Sequence, residues 1–210
     1  MEGAPASRLI ELSARAAQRR APLRWVGLRG SARAIAIARL LDAHSGVPAL
    51  ILTVGAKASD AMLEDLRTAL GEPPPEEGGR VRAFPPPDTA PYDRFSPQPF
   101  VVAQRMDVLH RLAAADGAPP VIIAPWTALA ARVPSPASVL RASLRVVRGE
   151  EVDRDGLVAS LVGEGYTRQS LVEERGEVAV RGGVVDFFPP HATRPVRLEL
   201  DGDRDRKSVV

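Results

Sequence analysis

The sequence predicts an α/β protein: a parallel sheet with flanking helices, followed by a smaller α+β domain. Three observations lead there. Short apolar runs alternate with segments of helical period through about residue 130, the signature of a parallel sheet with helices between its strands. Near residue 142 the pattern changes to short runs of period two, split by glycine and proline. Hydrophobic residues make up 45% of 210 positions, enough to bury a core of ordinary size. The expected domains are 1–142 and 143–204.

Taken in order, "LRWVG" (23–27) reads as a strand and Ser31 to Asp42 as a helix. "PALILTV" (48–54) is a buried strand. Ser59 is placed to N-cap a helix whose Met62, Leu63, Leu66 and Leu70 share one face. "EPPPEEGG" (72–79) is a surface loop and "RVRAF" (80–84) a strand. A proline-rich passage, 85–99, leads into a helix carrying Val102, Met106, Leu109 and Leu112; within the passage Tyr92 and Phe95 are expected to pin the loop to the sheet. "VIIA" (121–124) is the next strand. In the second domain "LRVV" (144–147) reads as a strand. Asp153 caps a short helix with Leu157 and Leu161 inward, ended by Gly163 or Gly165. Four strands follow: "RQSLVEE", "EVAVR", "GVVDFF" and "VRLEL".

Composition excludes several classes. No apolar run approaches the roughly 20 residues of a membrane span. The start, "MEGAPASRLIELSARAAQRRAPL", lacks the apolar block of a secretory signal and reads as a surface helix with Leu9, Leu12 and Ala16 inward. With no cysteine there is neither disulfide nor thiolate metal site, which fits a cytoplasmic protein. His44, His110 and His191 lack ligand spacing, so no metal is expected. All but two of the 28 basic residues are arginine, yet the net charge is only +2. That balance is weak support for nucleic-acid binding.

"GLRGSARA" (27–34) follows the frame of a phosphate-binding loop, G-x-x-x-x-G-K-[ST]. Gly27 holds the first position, and Gly30 and Ser31 keep the loop pliable. The final glycine, lysine and hydroxyl positions hold Ala32, Arg33 and Ala34. A guanidinium fork is not a compact ammonium, and an alanine ligates no metal. Losing two or three charge-assisted contacts at about 1.5–3 kcal/mol each weakens nucleotide binding by several kcal/mol. The expectation is an architectural relic with no catalysis and no cofactor.

Five blocks carry a family resemblance: "GLRGSARA" (27–34), "FPPPDTAPYDRFSP" (84–97), "APWTALAARVP" (124–134), "VRGGVVDFFPP" (180–190) and "RPVRLEL" (194–200). In order and spacing they resemble the N-terminal region of the bacterial transcription-repair coupling factors, which is similar to the excinuclease component UvrB. The resemblance implies a RecA-like lobe with a degenerate P-loop, followed by a domain that binds the excinuclease component UvrA. It also implies a much longer parent. That parent displaces RNA polymerase stalled at DNA lesions with an ATP- and magnesium-dependent motor, then recruits UvrA for nucleotide excision repair. Contacts to polymerase and DNA lie in parts absent here, and no membrane is involved. The alternatives are an ATP-using helicase-like lobe and a UvrB-like module that binds DNA directly.

Arg181, in "VRGG", and Arg197, in "PVRLEL", match the family's UvrA contacts. Arg168, in "GYTRQS", and Phe188, in "VVDFFPP", are further candidates. After the second arginine the family carries paired aromatics, where this chain has Leu200 and Asp201. The last residues, "DRKSVV" (205–210), depart from the family and back-translate to the read-through of a common sequencing adapter. They are expected to be foreign to the natural protein.

Overall fold

The structure, a computed structural model, describes residues 11, 14, 22–89, 94, 97–115, 117–144, 146, 147, 149, 151–190, 192–201 and 206–209. The expected first helix face (Leu9, Leu12, Ala16), the loop aromatics Tyr92 and Phe95, and His191 lie outside the described residues. Two compact units emerge: residues 1–87 with 111–133, and residues 88–110 with 134–210. The boundary expected at 142/143 falls inside the second unit, nine residues past the cut at 133/134.

The first unit is built on a three-stranded parallel sheet in the order β1–β3–β2, with β1 at Ala49–Thr53, β2 at Val81–Ala83 and β3 at Val121–Pro125. Central β3 is buried along its whole length, as its unbroken apolar run requires. Helices α1 (Ala32–Ala43) and α2 (Ala56–Leu70) cover one face. There Ala34, Ala38, Leu41 and Leu66 meet Val81, Val121 and Ile123. On β1 the alternate residues Leu50 and Leu52 stay half exposed.

Two local expectations change. Residues 23–27 form no strand, so β1 is an edge. Helix α2 starts three residues before Ser59, which does not cap it; the hydroxyl is buried and 2.6 Å from Thr53 Oγ1. The end of α2 follows its sequence closely. Gly71 sits at φ +64°, its N–H donates to Thr68 O, and Glu72 N–H donates to Arg67 O. That pair of bonds is a Schellman cap, which calls for glycine at the left-handed position.

In the second unit, α3 (Pro99–Ala114) begins, and α4 (Pro136–Arg141) is an unanticipated short helix capped by Ser135. Residues 144, 146 and 147 form no strand. Helix α5 (Arg154–Gly163) starts as expected, with the Asp153 side chain accepting from Asp155 N–H. The sheet runs β4 (Thr167–Arg168), β5 (Glu177–Arg181), β6 (Val184–Phe187), β7 (Val196–Asp201) and β8 (Arg206–Val209). β4 lies parallel to β5, and the rest pair antiparallel. Of the expected strand "RQSLVEE" (168–174) only Arg168 lies in a strand, β4. Alternation divides the sheet: Val178, Val185, Leu198 and Leu200 pack under Leu157, Val158 and Leu161 of α5. The positions between them form the opposite face. Among the described residues no helix is long and apolar enough to cross a membrane, and no cluster of potential metal ligands occurs.

Candidate functional site

Two places carry chemistry. The first is the loop before α1. Gly27 and Gly30 adopt φ +82° and +52°, and a Cβ on either would meet nothing within 4 Å. The loop is thus open in front, over a hollow of about 480 Å³ lined by Trp25, Arg33, Thr53 and Asp65 among others. Three amides at the start of α1 and the Ser31 hydroxyl are engaged. Ala32 N–H donates to Arg29 O, Arg33 N–H to Gly30 O and Ile35 N–H to Ser31 O. The Ser31 hydroxyl donates to Asp65 Oδ1 at 3.1 Å. Ala34, where a metal-binding hydroxyl would stand, is buried in the core beside Ala38 and Leu41. The hollow thus carries both a cation, Arg33, and a carboxylate, Asp65, the latter bonded to Ser31.

The second place is the outer face of the second sheet. Arg181 ends β5, and Gly182 and Gly183 make a two-residue hairpin into β6. Positive φ at Gly182 (+60°), and not at Gly183, is the type II′ pattern that suits strand twist. This turn fixes the register: Ala179 faces Asp186, so Arg181 lies diagonally from Asp186 on the same face. On the other side Asp186 pairs directly with Arg197 of β7.

The contacts follow from that register. Arg197 donates to Asp186 twice, Nε to Oδ1 at 2.7 Å and Nη2 to Oδ2 at 3.0 Å. Arg181 Nη2 donates to Oδ2 at 3.0 Å. The carboxylate side chain is 10% exposed, while the two guanidinium side chains are 53% and 50% exposed. One buried acid therefore holds two arginines whose remaining donors face water. A guanidinium has five N–H donors, so each keeps at least three after bonding Asp186.

Electrostatics match this geometry. The hydrogen bond from Arg197 holds the Asp186 carboxyl below the usual carboxylate range. Burial opposes it, and the Arg181 bond adds to it. Asp186 in turn raises the Arg197 pKa. A depressed carboxyl contributes stability above its unfolded pKa, and that stability is lost as pH falls through the folded value. We expect urea unfolding to show wild type more stable than Asp186→Asn at pH 7, with the gap closing below about pH 4. A gap unchanged at pH 3 would show that the carboxylate charge contributes nothing.

Of the four sequence-derived candidates, Arg181 and Arg197 come together. Arg168 does not join them. It is paired in register with Val178, hence on the helix-covered side of the sheet. There it lowers the Asp155 carboxyl pKa as a minor contributor after Arg154. Phe188 is half buried one residue past β6, with the Arg175 guanidinium 5.3 Å from its ring centroid. Arg175 also lies 5.9 Å from Phe100 and donates to Ala192 O. Leu200 is buried in the core. Sequence reasoning missed Asp186 as a member of the site. Its signal was available: an acid stands inside the strand run "VVDF", next to core-facing Val185 and therefore on the outward side.

Residues 144–205 match the UvrB interaction domain family. A transcription-repair-coupling factor from Myxococcus xanthus is 36% identical over 202 residues, covering 96% of this chain and 16% of that protein. One from Bacillus subtilis is 30% identical over 175 residues, 83% of this chain and 14% of the relative. UvrABC system protein B of Mycobacterium tuberculosis is 42% identical over 69 residues, a third of this chain and a tenth of that protein. The chain thus spans less than a fifth of each of these relatives.

Proposed function

We propose, on the premise that the chain is related along most of its length to transcription-repair-coupling factors and carries a UvrB interaction domain, that it is a non-catalytic docking module of transcription-coupled repair. Its second unit takes UvrA on the Arg181–Asp186–Arg197 face. One observation carries this reading: two half-exposed arginines are held side by side by a single buried carboxylate. A prearranged pair of forks loses little freedom on meeting carboxylates of a partner. Arginine is also the residue type enriched at interface hot spots.

The first unit is, on this proposal, a scaffold derived from a nucleotide-binding lobe that no longer takes nucleotide. Ala34 in the core, the inward-bonded amides and the Ser31–Asp65 contact support that view. The ATP-driven motor and the polymerase and DNA contacts then belong to stretches of the relatives that this chain does not span. The setting is the cytoplasm, where bacterial DNA is repaired.

Calorimetric titration of the 210-residue chain with purified UvrA tests the reading. Saturable heat at one site per chain is the expected result. ATP with magnesium should leave the chain's melting temperature unchanged, because a ligand that binds the folded state raises it. A rise of several degrees would return the hollow above Gly30 to use as a nucleotide site. Absence of any heat with UvrA would remove the docking role.

A further inference from the structure

Beside Arg197 lies a hollow of about 310 Å³ lined by Leu171, Val172, Asp186, Pro195, Val196 and Arg197. Its lining joins the forked Arg197–Asp186 pair to apolar side chains. Leu171 is 50% exposed at its wall. An isolated exposed leucine is ordinary. Here it adjoins a second apolar side chain, a proline and a charged group with spare donors.

We infer that this hollow is the apolar anchor site of the docking face. It takes a leucine- or phenylalanine-sized side chain from a partner segment that also carries a carboxylate for Arg197. The inference rests on the docking role proposed above. Two observations argue for this occupant. Arg197 spends Nε and Nη2 on Asp186 and has no other acceptor among the described residues, so a partner carboxylate at the rim is complementary to it. A hollow lined by apolar side chains and a cation excludes water once filled, which strengthens an ion pair formed there. An anchor in a pocket beside an arginine is the arrangement in which binding energy concentrates.

The test is titration of the full 210-residue chain with purified UvrA, comparing Leu171→Ala and Arg197→Lys at low and high salt. Leu171→Ala is expected to weaken binding about tenfold at both salt levels, since apolar burial is insensitive to screening. The Arg197→Lys loss should shrink at high salt, and the double variant should lose less than the product of the two. Pro195→Ser, on the same hollow, provides a second variant should Leu171→Ala disturb folding. If both hollow variants bind like the parent while Arg197→Lys weakens, the anchor site is wrong and the docking face stands. If none of the three changes binding, or the parent does not bind, both are wrong. Sedimentation adds a further outcome: a parent dimer that Leu171→Ala dissociates makes a second copy of the chain the occupant, which overturns the inference.

Discussion

Replacing Arg181 and Arg197 together with alanine is expected to lower affinity for UvrA about a hundredfold, in line with truncation of hydrogen-bonded charge pairs. It is also expected to destabilise the chain by about 3 kcal/mol. The second effect comes from what is left behind. Asp186 has a side chain only 10% exposed, and its described partners are these two arginines. Removing both strands a buried carboxylate, for which a cost of about 3–5 kcal/mol is typical. The lower end applies because the arginines themselves are half in water. Lost binding in this variant alone is therefore ambiguous between a missing contact and a loosened sheet. Arg181→Lys with Arg197→Lys separates them. A lysine keeps a cation beside Asp186 but not the planar fork. Stability should return to within about 1 kcal/mol of wild type, while affinity stays about tenfold down. Calorimetry and urea unfolding on the same two proteins decide it. Wild-type affinity in the lysine pair would show that charge, not fork geometry, makes the contact.

Gly183→Ala is expected to be the most damaging single methyl added to the second unit. The hairpin brings Gly183 opposite Leu200, whose N–H donates to Gly183 O at 2.8 Å. A Cβ on Gly183 would stand 2.7 Å from the Leu200 carbonyl oxygen. The oxygen is backbone, and the Leu200 N–H bond to Gly183 O holds the two residues together, so it does not give way cheaply. The expected cost is about 1–3 kcal/mol, or roughly 4–8 °C of melting temperature per kcal/mol in a unit this size. Gly163→Ala is the control. It adds a methyl at the end of α5 with nothing within 4 Å and should leave the melting temperature unchanged or slightly raised. Equal melting of the Gly183 and Gly163 variants would show that the approach of β6 to β7 is looser than that distance implies.

The fold was legible where a local rule and the tertiary environment agree. Asp153 before a short apolar period and the unbroken run in β3 each announced themselves. The expected strand at 23–27 and the one at 144–147 failed for a shared reason. A short apolar run records burial, not pairing, and the ladder partner is decided elsewhere in the chain. Ser59 misleads because a hydroxyl near a helix start also serves a buried bond, here to Thr53 on the neighbouring strand. The arginine pair was reached through family resemblance, while alternation alone left each arginine an ordinary strand residue. Asp186 shows the limit most clearly. Its outward position was readable from its core-facing neighbour Val185, but its two partners come from separate strands, and only the registers β5–β6 and β6–β7 join them.

The carboxylate shared by two guanidinium groups also restricts how the protein can change over time. Losing either cation leaves the acid with one of its two partners, and losing the acid frees both cations to drift from their aligned pose. Substitutions at the three positions are therefore not independent trials. A lineage abandoning this arrangement passes through a weakened intermediate whichever of the three positions changes first, which makes the triplet an evolutionary ratchet rather than three separate choices.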